Sequence, residues 1–181
     1  MIASQINILT LAKSYLASAS ASQYTEIIKP LFISSAGAHM RHILDHYVAI
    51  INGLEVGIID YDKRSRGGSV ETDVNAALKQ ISQIEFFLLS LHDEQLSQSI
   101  MLSTEVSVEK KQVEIVSTSV ARELVFVGSH AIHHFAMIEQ ISKAQKSSTP
   151  KQFGIAPATA TFLRGNATNE DTISGDSKCA R

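Results

Sequence analysis

The feature that most constrains the fold is helical periodicity in four long segments. Apolar residues recur at three- and four-residue steps in segments that begin near residues 2, 34, 73 and 119, the spacing of helices that each bury one face. Short connections between four such helices are typical of an antiparallel four-helix bundle, so the sequence predicts a mainly all-α protein. With 181 residues, the chain is long enough to form one domain with a buried core, which we expect over residues 1–164.

The segments between and after these helices have different patterns. "SQSIMLSTEVSVEKKQVEIVSTS" alternates apolar and polar residues, which predicts a small β-hairpin inserted between the third and fourth helices. The polar "EVGIIDYDKRSRGG" is typical of a connecting loop. "KQFGIAPATATFLR" predicts an ordered strap across the bundle, and the poorly patterned residues 165–181 predict a disordered tail.

Composition argues against several classes of partner. The formal net charge of -2 provides no basic surface, so no nucleic-acid partner is expected. Apolar runs are shorter than the ~20 residues that span a bilayer, so no membrane association is expected. The single Cys179 cannot form an intramolecular disulfide, which fits a reducing compartment and predicts a cytoplasmic location.

Histidines are concentrated in two of the predicted helices. The segments "HMRHILDHY" and "SHAIHHF" hold six of the seven histidines: His39, His42, His46, His130, His133 and His134. His130 and His134 are four residues apart, so both project from one helical face with Cβ atoms ~6 Å apart. That separation lets two imidazoles bind one metal ion, which makes this pair the first candidate for a metal site.

A third ligand is expected from the second helix. His39 and His46 are separated by about 10 Å along a straight helix axis, too far to share one ion. His42 lies between them, so the predicted metal ligands are His42, His130 and His134. Three imidazoles leave one coordination position open, as in catalytic zinc or nickel sites.

The other histidines have alternative interpretations. Three roles are open for His39, His46 and His133. They are expected to orient the metal ligands, to form part of a proton relay, or to be ordinary surface side chains. His92 is expected at the surface. A single interior histidine is more often a hydrogen-bonded core residue than a metal ligand, so it is the clustering that favours a metal.

Two carboxylates are candidates for roles beside the metal. Glu123 lies two turns before His130 on the same face, and Asp45 lies three residues after His42. Either residue is placed to orient an imidazole or to accept a proton, and Glu123 is the candidate catalytic base. The alternative is that both are ordinary charges on a helix surface.

The loop "DYDKRSRGG" supplies two candidate substrate-binding or cofactor-binding residues, Arg64 and Arg66. A guanidinium group matches a carboxylate in a bidentate pair, so both arginines are candidates for binding an anionic substrate or a thiol cosubstrate. The alternative is that they pair with Asp60, Asp62 or Glu71 and hold the loop in place.

From about residue 30 to 164 the chain resembles the DinB-like (YfiT-type) proteins, a superfamily of metal-dependent four-helix bundles. The resemblance is carried by "SSAGAHMRHILDHY", "DYDKRSRGG", "RELVFVGSHAIHHFAMI" and "FGIAPATATFLR". It implies a divalent metal, commonly nickel or zinc, bound by His42, His130 and His134, and often a homodimer. It also implies a small-molecule substrate, with relatives that include hydrolases and transferases using small thiols. Many relatives have Arg-Gly-Gln after the last ligand, whereas this chain has Phe135–Met137.

Three functions remain open from the sequence. The first is a metal-dependent enzyme of hydrolase or thiol-dependent transferase type, in which the metal activates water or a thiol. The second is a non-catalytic bundle or dimerisation module that the metal stabilises. The third is a metal-free pH sensor whose imidazoles repel one another once they are charged.

Overall fold

The computed structural model describes residues 1–63 and 67–175, with side chains through residue 166. Its helices are α1 (Ile2–Ser18), α2 (Ala21–Thr25), α3 (Ala36–Val56), α4 (Val74–Ser90), α5 (Asp93–Ser97), α6 (Val120–Ala144) and α7 (Pro157–Gly175). Its strands are β1 (Ile58–Asp60), β2 (Ser99–Glu105) and β3 (Val113–Ser119), and a 3-10 turn covers Ser69–Glu71. The chain is therefore mostly helical with one small sheet, as the sequence predicts.

Helices α1, α3, α4 and α6 correspond to the four helices predicted from apolar periodicity, and α7, with 19 residues, is a further long helix that was not predicted. Both α1 and α3 pack against α4 and against α6. The core between these helices contains the predicted apolar faces, including Leu9, Leu44, Ile81 and Val127, each at most 1% exposed. The mainly helical fold is thus confirmed, and the antiparallel arrangement of a four-helix bundle stays a prediction.

Local sequence explains where α3 begins and ends. The Ser35 hydroxyl accepts a hydrogen bond from the Ala38 amide at 3.1 Å and caps the N-terminus. The helix runs to Val56 and stops at Gly57, whose φ of +82° is left-handed. Gly53, in the last turn of the helix, lies against the following strand, because a Cβ there would be 2.6 Å from the side chain of Ile59.

The predicted β-hairpin is present between α4 and α6. Strands β2 and β3 are antiparallel, with Ser99 opposite Ser119 and Leu102 opposite Val116. The predicted connecting loop is wrong at Ile58–Asp60, because this segment pairs in parallel with β2 as strand β1. Three residues are too few for an alternating pattern to show, and the free edge of the hairpin provides the pairing partner.

The predicted strap packs on the bundle through one aromatic residue. Phe153 is 2% exposed, and its ring stacks on those of Phe135 at 4.4 Å and Tyr15 at 5.2 Å between centroids. Beyond it, residues 157–164 are the first part of α7 rather than extended chain. The strap is therefore anchored at its start and helical afterwards.

The predicted disordered tail overlaps the end of α7. The backbone of residues 165–175 belongs to this helix, and residues 176–181, which include Cys179, lie outside the described residues. The boundary between the domain and a tail stays a prediction. Among the described helices, none combines the length and apolar character that crossing a bilayer requires.

Candidate metal centre

The three predicted metal ligands lie together between α3 and α6. The Nε2 atoms of His42 and His130 are 2.9 Å apart, and those of His134 and His130 are 3.2 Å apart. The rings of His42 and His134 are 4.6 Å apart between centroids. Two helices therefore bring these three rings into one cluster, and whether these three bind an ion stays a prediction.

A fourth histidine, His46, lies in the same cluster. His42, His46 and His130 each offer a ring nitrogen, and these nitrogens all lie within 4.8 Å of one another. His46 is 6% exposed, and its Nδ1 lies 2.8 Å from the main-chain oxygen of His42. Sequence reasoning missed His46 as a candidate ligand, although its four-residue spacing from His42 matches that of His130 and His134.

His39 and His133 occupy different positions beside this cluster. The Nδ1 of His39 is 2.9 Å from the Nδ1 of His134, so it contacts the ring nitrogen that does not face His130. Such contacts fix the orientation of metal-binding imidazoles, one of the roles considered for His39. His133 is exposed on α6, and His92 is exposed at the start of α5.

The nitrogen geometry fits a bound cation. A neutral imidazole has one N–H, and the Nε2 of His130 lies within hydrogen-bonding distance of two other Nε2 atoms. Nitrogens that share a tetrahedral ion at 2.0–2.1 Å are separated by about 3.3 Å, close to the 2.9 and 3.2 Å observed. An all-imidazole donor set suits zinc or nickel.

Burial keeps imidazoles in this cluster neutral. It lowers the pKa of His134 from 6.5 to about 3, and the neighbouring His130 and His39 add to this effect. Burial also lowers the pKa of His39, with smaller contributions from His133 and Arg41. Because only a neutral imidazole binds a metal, this environment favours metal binding at neutral pH.

Aromatic rings cover one side of the cluster. The Tyr61 ring stacks on His46 at 4.9 Å with 25° between the planes, and the Phe126 ring stacks on His130 at 5.6 Å and 18°. Apolar rings beside a metal lower the local dielectric constant and strengthen its electrostatic effect on bound groups.

Glu123, the candidate catalytic base, is fully buried at the end of the cluster. Its carboxylate accepts hydrogen bonds from the Tyr61 hydroxyl at 2.7 Å, from Thr118 Oγ1 at 2.6 Å and from the Arg122 guanidinium at 2.7 Å. Burial raises the pKa of Tyr61, with Glu123 adding to the effect, so this phenol stays protonated and donates. These contacts favour a positioning role for Glu123, which holds the ring that stacks on His46; its catalytic role stays a prediction.

Asp45 belongs to an ion-pair chain. Its carboxylate lies 2.6 Å from Arg41 NH1, and Arg41 Nε lies 3.1 Å from a carboxylate oxygen of Glu71. This chain ties α3 to the 3-10 turn. Asp45 therefore pairs with an arginine and is only 9% exposed, so it is not an ordinary surface charge, and its role beside the metal stays a prediction.

Arg64 and Arg66, the predicted substrate-binding residues, lie outside the described residues. Two acidic residues proposed as their partners have other contacts. Asp60 lies 3.7 Å from Lys63 Nζ, and Asp62 accepts a hydrogen bond from the Glu105 amide at 2.6 Å. The role of the two arginines stays a prediction.

Comparison with known proteins identifies the fold. No family model matches the chain. A DinB-like protein from Bacillus subtilis, YjoA, superposes with a TM-score of 0.61 and 17% identity, over 84% of this chain and 96% of that one. The chain therefore has the DinB-like fold, as the resemblance implies.

A second similarity is to a longer protein. The chain is 31% identical over 109 residues to FK506-binding protein 5 of the fungus Rhizopus delemar. The match covers 60% of this chain but 28% of the fungal protein, so the chain corresponds to about a quarter of that relative.

Proposed function

We propose that this protein binds a divalent metal ion between α3 and α6 and is a metal-dependent enzyme of hydrolase or thiol-dependent transferase type. The observation that carries the proposal is the convergence of imidazole nitrogens from two helices, with 2.9 Å between the Nε2 atoms of His42 and His130. Clustered neutral imidazoles without a cation would leave nitrogen lone pairs facing one another, which a metal ion turns into a favourable arrangement.

His42 and His130 are common to both possible ligand sets. The third proposed ligand is His134, whose Nε2 faces His130 and whose Nδ1 faces His39. His46 is the competing third ligand, since one of its nitrogens lies within 4.8 Å of nitrogens of His42 and His130. The two sets differ in one residue each, so single substitutions distinguish them.

When bound, a divalent ion would supply Lewis-acid chemistry, because it lowers the pKa of water at an open coordination position to about 7 and deprotonates a coordinated thiol. The residues of the chain position and shield the reactants. Tyr61 and Phe126 cover His46 and His130 and exclude water from that side. Glu123 fixes Tyr61 through its hydrogen bond, and Arg64 and Arg66 are proposed to bind the carboxylate of a substrate or small thiol.

His46 also supports a second candidate function. If His42, His46, His130 and His134 all bind the ion, the tetrahedral shell is complete and no position remains for a substrate. The protein would then be a non-catalytic, metal-stabilised bundle or dimerisation module. The number of histidines that bind the metal therefore decides between the two functions.

Metal analysis of single variants tests the ligand set. We would purify the full chain without a histidine tag, measure bound metal, and repeat the measurement for the alanine variants of His42, His130, His134 and His46. His133→Ala is the matched control, because His133 is exposed on the same helix beside His134. We expect one metal per chain, lost in the first three variants and retained in the control and in His46→Ala. Metal retained in His42→Ala or His130→Ala would contradict the proposed site.

Cobalt substitution tests for an open coordination position. Co²⁺ takes the place of zinc in such sites, and its visible spectrum changes when an external ligand binds. For the enzyme we expect azide or a small thiol to shift the spectrum of the wild-type protein. A spectrum that azide leaves unchanged in the wild type but shifts in His46→Ala would favour the closed, non-catalytic site.

The identity of the metal, a small-thiol cosubstrate, a homodimer and a cytoplasmic location are further proposals that rest on the resemblance and on composition. Elemental analysis separates nickel from zinc. Sedimentation of the metal-loaded and chelated protein tests whether a dimer forms and whether the metal is needed for it.

A further inference from the structure

A groove on another face of α6 has the size of a small-molecule site. This α1–α6 groove has a volume of about 500 Å³ and lies between α1, α6 and the segment before α7. Sites for small molecules span roughly 300–1,000 Å³. The residues that line it include Gln5, Ile8, Gly128, Ser129, Ile132 and His133.

A hydrogen-bond donor on a largely buried side chain lines the groove. Gln5 is 4% exposed, and its Oε1 accepts a hydrogen bond from the Tyr47 hydroxyl at 2.8 Å. Tyr47 is 1% exposed, and its contact with Oε1 leaves the other end of the amide, Nε2, without a bond to Tyr47. The Nε2 of Gln5 makes no hydrogen bond within the described part of the chain. Gln5 is buried as a residue, but its Nε2 keeps some accessible surface, so a carbonyl oxygen in the groove would replace water as its acceptor.

Gly128 makes room for this amide. A Cβ at position 128 would lie 2.9 Å from Nε2 and 3.0 Å from Oε1 of Gln5, so the end of this side chain would have to shift away from its present position. Glycine lowers helix propensity by about 1 kcal/mol relative to alanine. Its place in the middle of α6 is therefore explained by the position of the Gln5 amide at the floor of the groove.

The rest of the lining determines which ligands fit. Ile8 and Ile132 are among its apolar walls, and among the described residues that line it His133 alone has a titratable side chain. A charged ligand would lose its hydration without gaining a counter-charge, so the groove favours a neutral molecule. The donor on Gln5 favours a ligand with a carbonyl oxygen.

We propose that the α1–α6 groove binds a neutral, mainly apolar small molecule whose carbonyl oxygen accepts a hydrogen bond from the Gln5 amide. The groove is separate from the histidine cluster, since Ser129 and His133 line it while His130 and His134 face α3. Binding there does not depend on the proposed metal.

A pair of matched ligands tests this inference. Acetophenone has a carbonyl, and ethylbenzene has a similar shape without one. We would titrate each into the full-length, ¹⁵N-labelled protein, with and without chelator, and follow backbone and Gln5 side-chain amide signals by NMR. We expect both ligands to shift groove signals, and acetophenone alone to shift the Gln5 NH₂ signals. Acetophenone should bind about five- to tenfold more tightly, the effect of one hydrogen bond.

Two variants distinguish the contribution of the Gln5 hydrogen bond from that of the shape of the groove. Gln5→Glu keeps an acceptor for Tyr47 but removes the donor, so acetophenone affinity should fall to that of ethylbenzene. Ser129→Phe places a ring in the groove from an exposed position, and it should abolish binding of both ligands, whereas Ser129→Ala should not. Equal affinity of both ligands for the wild-type protein, absence of binding, or shifts centred on the histidine cluster would each overturn the proposal. If Gln5→Glu fails to fold, the ligand pair and the Ser129 variants still decide.

Discussion

Removal of the Glu123 carboxylate tests whether this residue is mainly a structural support for the metal centre. The carboxylate is fully buried and accepts three hydrogen bonds, from Tyr61, Thr118 and Arg122. In Glu123→Ala the Tyr61 hydroxyl, on a side chain that is 7% exposed, and the half-buried Thr118 hydroxyl lose their acceptor. The exposed Arg122 regains water instead.

The magnitude follows from these contacts. Each of the two hydroxyls left without this acceptor costs about 1–3 kcal/mol, whereas the exposed Arg122 guanidinium adds little because it regains water. We expect Glu123→Ala to lower the free energy of unfolding by about 3–5 kcal/mol, and Glu123→Gln by less, because its amide oxygen still accepts from Tyr61. Urea denaturation followed by circular dichroism measures both values.

Glu139→Ala is the matched control. Glu139 is on the same helix and pairs with Lys143 at 2.9 Å, one turn away at the surface. Such pairs contribute about 0.3–0.5 kcal/mol. If Glu123→Ala is as mild as this control and yet abolishes activity, the reasoning is refuted, and Glu123 acts in catalysis rather than in positioning.

Three further predictions concern the bundle. Because the pKa of His134 falls from 6.5 to about 3 in the folded state, the unfolded chain binds more protons between these two pH values. The metal-free protein should therefore lose stability as the pH falls below 6.5, by less than ~1.4 kcal/mol per pH unit because solvent screens the site. The pH dependence of the stability of His134→Asn should be flatter. Ser35→Ala should cost about 1 kcal/mol by thermal denaturation, because α3 loses its N-cap, and an unchanged melting temperature would contradict this. Phe153→Ala should cost about 3–5 kcal/mol, because the ring is stacked between Tyr15 and Phe135; a loss below 1 kcal/mol would show that the strap is not anchored there.

The sequence predicts the features of this fold that depend on local pattern. Apolar periodicity locates α1, α3, α4 and α6, and alternation locates the hairpin β2–β3. Strand β1 was not predictable in the same way, because its three residues become a strand only by pairing with β2. Residues 165–175 are polar, yet their backbone continues α7.

The candidate site shows a similar limit at the level of single residues. Helical spacing predicts which histidines share a face of one helix, but it does not predict which part of that face contacts the neighbouring helix. The rings of His39 and His134 are 5.1 Å apart, while those of His46 and His130 are 4.4 Å apart. The later residue of α3 thus meets the earlier residue of α6, which supports an antiparallel orientation of these two helices.

This order also explains why His46 was missed. Sequence reasoning correctly separates His39 from His46 by about 10 Å along the helix, and concludes that they do not share an ion. In an antiparallel pair, however, each end of the α3 stripe meets a different ligand of α6, so His39 contacts His134 and His46 contacts His130. The middle residue, His42, reaches His130 from a position between them. The same geometry that brings three predicted ligands together therefore brings a fourth imidazole to the centre, and the coordination number becomes the property on which the function depends.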